Sequence, residues 1–437
     1  MSEVAEVRLW GTRIGAVALE RDDVFAIFQY DPDFLSSGIE VSPLMLPLTE
    51  TTYRFPELSL ETFRGLPGML ADSLPDKFGE ALIAAWLSTQ GRTIDSFSSI
   101  QRLCYVHTRG MGALEYLPAQ DGLSNRVQDL QVDELVKLAG EVLAMRRGLD
   151  VSFATSERKQ SLIRILQTSS SAGGARAKAL IAWNPKTQEV KTGHAIAPEG
   201  FEHWLIKFDG VSGNRNDETR DALADPLSYT VAEYVYSLLA KAAGIEVSEC
   251  RLLEENGRRH FMTKRFDRIG GRDKVHMQSL GGMAHMDFNR PAANTYEAAF
   301  QVLRRLKLGR HAAEQLYRRM LFNVIAHNHD DHVKNIAFLM DRQGQWRLAP
   351  AYDLAFNHNP LSWTREHQMS INGKRDDFTQ KDFEAVARKA SVALQTARRI
   401  YEEVREAVSQ WDRLAHQHEV PSDMTRRIQA GLRLTIP

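Results

Sequence analysis

The sequence predicts an α+β protein of two or three lobes, with strands and helices mixed early and helices dominating the last third. Three observations predict it. At 437 residues the chain exceeds the roughly 250–300 residues at which a single hydrophobic core stops growing. Short segments with strand-like alternation, such as VRLWGTRIGAVALE, VFAIFQYD and HWLIKFDG, recur through the first two thirds. From about residue 292 the apolar period is helical, interrupted by the strand-like IAFLM and WRLAP.

Composition narrows the function classes. Lys and Arg number 55 against 56 Asp and Glu, so the near-zero net charge gives no sign of a chain built to bind nucleic acid along its length. The two cysteines, Cys104 and Cys250, form no C-x-x-C pair, which argues against a disulfide scaffold or a structural zinc module and suits a reducing cytoplasm. The start MSEVAEVRLWGTRIG has no apolar signal core. No run approaches the roughly 18 apolar residues of a membrane helix. A cytoplasmic globular protein without a membrane partner is expected.

The elements follow in order. The opening alternation predicts a small sheet, and LSLETFRGLPGMLADSLPDKFGEALIAAWLSTQGR, from about residue 59, predicts helix with Gly91 as its C-cap. A short strand pair is expected around GMGALEYLP, then an amphipathic helix over residues 130–148. Ser and Thr enrich residues 149–174, which close on two glycines and mark a boundary or loop. ALIAWNPKTQEVKTG predicts a hairpin turning at Asn184-Pro185, and HWLIKFDG a strand. LSYTVAEYVYSLLAKAAGI predicts a helix ending near Gly244, and HFMTKRFDRIGG a strand running into a turn. No internal repeat is present.

Residues 325–338 read IAHNHDDHVKNIAF, a stretch open to two chemistries. His327-Asn328-His329-Asp330-Asp331-His332 spells H-x-H-x-D-H, a ligand set of two-metal hydrolases. Such clusters follow a β-strand and need further ligands downstream. Here the preceding AAEQLYRRMLFNVIAH is helical by period, and His358, His367, His416 and His418 stand in no ligand arrangement. Phosphoryl transfer needs other parts: a carboxylate for the attacking hydroxyl, Asn and Asp for magnesium, a lysine and backbone N–H groups for the phosphates. Ser171-Ala172-Gly173-Gly174-Ala175 can fold closely over phosphates, because glycine permits the backbone angles. Lys207 lies on a predicted strand, Asp330 and Asn335 stand five apart, and Asp353 follows the strand WRLAP. The order of these parts favours phosphoryl transfer. The H-R-D and D-F-G tripeptides of ordinary protein kinases are absent.

These residues resemble the HipA toxin kinases of bacterial type II toxin–antitoxin systems. The resemblance rests on GLPGMLADSLPDKFGEALI, SSSAGGARAKALIAW, HWLIKFDG, FMTKRFDRIGG, HNHDDHVKNIAF, WRLAPAYDL and HQMSINGK, and most specifically on D-x-H-x-K-N with P-x-Y-D. It implies a bilobal α+β kinase-like fold: a HipA-type N-terminal β subdomain over residues 1–125, a mixed N-lobe over 126–270 and an all-helical C-lobe over 271–437. It implies Asp330 as catalytic base with His332 and Lys334 in support, and Asn335 and Asp353 as Mg2+ ligands. Asp331 would support the loop. ATP would meet Lys178, Lys207 and Lys264, with the 171–178 loop over its phosphates and Phe266 at the adenine. Glu233 would pair with Lys207.

The resemblance further implies regulatory autophosphorylation on Ser171, or on Ser169 or Ser170. It implies an aminoacyl-tRNA synthetase, typically glutamyl-tRNA synthetase, as the substrate of a serine/threonine protein kinase that inhibits translation. The partner would be a small HipB-like helix-turn-helix antitoxin, through which the chain would reach operator DNA. Two alternatives remain from the sequence: a catalytically silent partner of a DNA-bound antitoxin, and a metal-dependent hydrolase using the HNHDDH cluster.

Overall fold

A computed structural model of the chain describes residues 3–119, 128–146, 162–166, 168, 176–193, 196–211 and 227–437. Its N-terminal sheet comprises β1 (Glu3–Leu9), β2 (Thr12–Leu19), β3 (Ile27–Tyr30) and β4 (Leu114–Leu117), antiparallel in the order β3-β2-β1-β4. In β1 every second side chain, Ala5, Val7 and Leu9, is buried, the period-two signature that the sequence shows. Leu9 pairs with Thr12 across a two-residue turn in which Trp10 and Gly11 both take positive φ, the geometry whose twist matches a β-hairpin. The strand pair expected around GMGALEYLP is one strand, β4: it finds its partner in β1, at the other end of the subdomain.

The helical stretch after residue 59 is three helices rather than one. Prolines at 67 and 75 divide it into Leu60–Phe63, Gly68–Ala71 and α1 (Lys77–Ser88). The Asp76 carboxylate caps α1 by accepting from Gly79 N at 2.7 Å. Gly91 takes φ +70, two residues beyond the C-cap Thr89.

A five-stranded antiparallel sheet follows, built from β5 (Lys178–Trp183), β6 (Val190–Thr192), β7 (Glu202–Lys207), β8 (Cys250–Glu255) and β9 (Arg258–Lys264) in the order β6-β5-β7-β9-β8. The register sets Lys178 opposite Lys207 and Lys207 opposite Phe261. Directly paired residues share a face, so both lysines emerge on one side of the sheet. The helix α2 (Tyr229–Ala242) covers that side, and Asp209, just past β7, accepts from Ser228 N at 2.8 Å and Thr230 Oγ1 at 3.0 Å at its start. One apolar cluster joins the N-terminal sheet and α1 to Trp204, Ile206 and Met262 of the five-stranded sheet.

Where the chain leaves β9, Asp267 is fully buried between Arg265 and Arg268, each 2.6 Å away. It also accepts from Gly112 N at 2.7 Å, while both arginines donate to the Gly110 carbonyl. Burial opposes the charge of Asp267, but the two guanidinium groups outweigh it and hold the carboxyl far below the usual range. This clasp ties the N-terminal subdomain to the end of the five-stranded sheet.

The last unit holds a second apolar cluster, centred on α3 (Arg310–Ile325) and α4 (Leu394–Ser409) and including the fully buried Trp411. It is not helical throughout. His276–Ser279, Ala337–Met340 and Trp346–Leu348 form an antiparallel sheet that contains the strand-like IAFLM and WRLAP segments. All four residues of Ala337–Met340 are buried, a run too short for a core helix and suited to a central strand. Among the described residues no helix is long and apolar enough to cross a membrane.

Asp267→Asn removes the anion between two buried guanidinium groups, and a loss of about 3–5 kcal/mol of stability is expected. Chemical denaturation of the purified variant measures it; a change under 1 kcal/mol, roughly a surface substitution's effect, would show that the clasp is dispensable.

Candidate active site

One face of the five-stranded sheet and the loops of the helical unit enclose an open cleft. Alternation decides which sheet residues reach it. Leu205 and Lys207 from β7, Phe261 and Thr263 from β9, and Lys178 from β5 line the cleft, while Trp204 and Ile206 point into the core behind. Lys264 and Phe266 stand at its rim, with Phe266 tilted against Tyr352 at 5.7 Å between ring centres. Lys334, Asn335 and Asp353 form the opposite wall.

The centre of the site is the Lys207 ammonium. It bonds Glu233 of α2 and lies 2.5 Å from Asp353 Oδ1, so three separate elements meet at one nitrogen. Burial works against the Lys207 charge, but Asp353 and Glu233 outweigh it and keep the amine protonated. For Asp353, burial would raise the carboxyl; Lys207 and Lys178 overrule it and hold it down at about 2. Glu233 is pushed up by burial against the pull of Lys207. The resemblance implies a pairing of Glu233 with Lys207, and the structure brings the two together.

Asp330 and its neighbour divide their roles by environment. The loop that carries them leaves α3 at His327, which takes φ +56, and ends in a short turn, Val333–Asn335, before the strand Ala337–Met340. It follows a helix, as the period of AAEQLYRRMLFNVIAH predicts. The Asp331 carboxylate is saturated: it accepts from Tyr296 Oη at 2.9 Å, His367 Nδ1 at 2.9 Å and Gln368 N at 2.7 Å. Burial opposes its charge, yet His367 and these donors hold it low. Asp330 Oδ1 is buried without a hydrogen-bond partner, 3.4 Å from His332 Nε2. Burial, reinforced by Asp353 and Asp331 against the opposing pull of His332, lifts the Asp330 carboxyl to about 6. Asp331 is therefore a fixed brace, and Asp330 has the free oxygen and the titration range of a base.

Asn335 donates through Nδ2 to the Asp330 carbonyl at 2.8 Å, which leaves its amide oxygen free. With the unpartnered Asp330 oxygen and the Asp353 carboxylate, the oxygen donors here suit a hard cation such as Mg2+. Asp353 takes φ +57, a left-handed conformation that Asp tolerates better than most residues.

The structure also shows the partners of the remaining charged residues around the cleft, among them Asp72 and Asp76, which the motifs did not single out. Lys178 pairs with Asp76 at 2.8 Å, both buried, so the capping residue of α1 reaches the cleft wall. Asp72 accepts from Ser279 N at 2.5 Å and Ser279 Oγ at 2.6 Å beside it. The Lys264 ammonium lies 2.6 Å from Glu202 and 3.6 Å from Glu249. Lys334 Nζ lies 5.3 Å over the Phe288 ring. His358 and His367, which show no ligand spacing in the sequence, pack against His327 and His329, with His358 stacked on His327. Burial holds His327 down to about 2 and His329 to about 3. Ser169, Ser170, Ser171, Ala172, Gly173, Gly174 and Ala175 lie outside the described residues.

Comparisons with known proteins bear on the family and the fold. Residues 170–411 match the family model of the HipA-like C-terminal domain, and residues 5–117 that of the HipA N-terminal domain. Over 174 residues the chain is 30% identical to "Putative kinase Y4mE" of Sinorhizobium fredii, a match that covers 37% of this chain and 41% of that protein. The solved complex of Shewanella oneidensis HipA, HipB and operator DNA contains a chain of like fold, with a TM-score of 0.66 at 14% identity over 98% of this chain and 94% of that one.

Lys207→Met strands a buried carboxylate, and about 3–5 kcal/mol of stability should be lost. Adding Glu233→Gln should recover part of it, a coupling that a denaturation double-mutant cycle reads directly. Additive losses would mean that the two side chains do not depend on each other.

Proposed function

The chain belongs to the HipA family, and from that premise we propose that it is an ATP- and Mg2+-dependent kinase that phosphorylates serine or threonine hydroxyls of a protein. One observation carries the reading: the Lys207 ammonium held between Glu233 and Asp353 on the wall of a cleft that also contains Asn335. An ammonium has three N–H groups, and the two carboxylates take two of them, so one remains for a phosphate oxygen. Lys178 adds a second positive charge on the same face. Phe266, Leu205 and Val247 offer an apolar surface for a purine ring.

Asn335 and Asp353 are the residues that would hold Mg2+, which when bound supplies charge neutralisation to the phosphates. Asp330 accepts the proton of the attacking hydroxyl, since its free oxygen and its raised affinity for a proton match that task. His332 and Lys334 steady the loop and the phosphate side of the cleft. Phe288 lies under the Lys334 ammonium and limits where it can swing.

The biological reading extends the family premise. The chain acts as the growth-inhibiting toxin of a toxin–antitoxin pair, with an aminoacyl-tRNA synthetase as substrate, of the glutamyl-tRNA synthetase kind. The Shewanella assembly of HipA with HipB and operator DNA supports a HipB-like antitoxin as partner and DNA contact mainly through it. Autophosphorylation at Ser171, or at Ser169 or Ser170, regulates the enzyme: a phosphate adds about −1.5 to −2 charge next in sequence to the glycines proposed to cover the nucleotide.

Transfer of label from γ-labelled ATP, with phosphopeptide mapping, tests the reading. Wild type should label itself within residues 169–171 and Asp330→Ala should lose about 10²–10⁴-fold in rate; absence of both labelling and ATP binding would refute it. The rate should also fall as pH drops through about 6, because the protonated Asp330 carboxyl accepts no proton. A flat profile between pH 5 and 8, roughly the span that brackets such a group, would remove Asp330 from the role of base.

A further inference from the structure

We propose that His327, His329 and His358 form a binding site for a divalent transition-metal ion of the zinc class, beside the loop that carries Asp330. The site is separate from the Mg2+ position and does not rest on the proposed phosphoryl transfer.

Backbone register brings the three rings together. Asn328 and Asn357 form a parallel bridge, with His329 N donating to Asn357 O at 3.0 Å and Asn357 N to His327 O at 3.2 Å. Side chains alternate faces across such a bridge, so His327 and His329 share one face and His358, next to Asn357, joins them there. One ring nitrogen from each then lies within 4.8 Å of the other two. Nitrogen ligands at about 2.0–2.1 Å from a tetrahedral zinc stand about 3.3 Å apart, so rotation of the rings by an ångström or so closes the set.

Three of the ring nitrogens are buried without a partner. His327 and His329 are 6% and 0% exposed, and neither nitrogen of His327 nor Nε2 of His329 has a hydrogen-bond partner. A carbonyl only accepts, so the 2.8 Å contact of His329 Nδ1 with Thr364 O fixes the proton on Nδ1 and leaves a lone pair on Nε2. Metal-binding histidines are oriented by this kind of outer contact. Both buried rings are uncharged at neutral pH, as ligands must be. Stacked aromatic packing alone explains the ring contacts but leaves these nitrogens unmet. His358 is half-buried and gives the ion a way in. Arg433, whose charge the rings feel, is paired with Asp376 at 2.6 Å.

Three neutral imidazoles select zinc, cobalt, nickel or copper over magnesium and calcium, which prefer oxygen. The ligand set differs from the H-x-H-x-D-H spelling: Asp331 is consumed by Tyr296, His367 and Gln368, and His332 faces Asp330. His329 adjoins Asp330, and His358 lies five residues past Asp353. An ion here cross-links the two segments that bear those carboxylates.

The test uses the full chain, stripped with a chelator and titrated with Co2+, whose tetrahedral complexes absorb strongly in the visible. One equivalent per chain should give the tetrahedral spectrum, Zn2+ should displace it, and Zn2+ should raise the Tm. His358→Ala, at a half-buried position, should lower affinity by about 100-fold or more while keeping the far-ultraviolet dichroism of wild type. His416→Ala, outside the cluster, should leave it unchanged. Absence of a saturable cobalt spectrum, or equal affinity in His358→Ala, overturns the site.

Discussion

The buried Lys207 ammonium is the interaction on which the rest of the structure depends. It brings together a strand of the five-stranded sheet, the helix α2 and the loop after the last strand of the helical unit. In a low-dielectric interior such a charge persists only with opposite charge in contact, and here one carboxylate comes from α2 and the other from the helical unit. The neighbouring strand adds a second lysine directly opposite, Lys178, and like charges at that spacing repel. Asp76, from the start of α1, answers that second charge. Sheet register, helix capping and the cleft's electrostatics are therefore one arrangement.

The loops that complete the cleft show a related economy of backbone. Asp353 and His327 both sit in left-handed conformations, which cost on the order of 1–3 kcal/mol each when the side chain does not favour them. Asp and His are among the residues that bear it best. In return Asp353 projects its carboxylate toward Lys207, and His327 turns the chain out of α3 into the loop that places Asp330. The contrast between Asp330 and Asp331 lies in their partners: one carboxylate meets three donors, and the other keeps a buried oxygen without a hydrogen-bond partner.

Much of this was legible in the residues. The period-two pattern of β1 and the apolar run around Leu180 read as sheet, and the helix before IAHNHDDHVKNIAF read as helix. Lys207, Asn335 and Asp353 were legible through their order along the chain, and they share one cleft. The partner of Glu233 was legible only through the resemblance, because a helix carboxylate looks the same whether it meets water or a buried lysine. The Asp76–Lys178 pair joins residues a hundred positions apart, and nothing local to LPDKFG signals it. The convergence of His358 with His327 and His329 depends on a single bridge between Asn328 and Asn357, a pairing without a periodic signature. The strand expected to pair within GMGALEYLP found β1 instead, because an edge strand's partner is chosen by the tertiary core.

The clasp at Asp267 bears on how such genes recombine. Its acceptor and donor groups, the Gly110 carbonyl and the Gly112 amide, belong to the segment matching one family model, and its arginines to the segment matching the other. A crossover that joined the first segment of one gene to the second of a distant cousin would need a loop of matching shape at those two glycines. Where the loop differs, two arginines arrive in the interior with half their partners missing. Joining first and second segments from distant relatives would therefore cost stability wherever this corner is not retained.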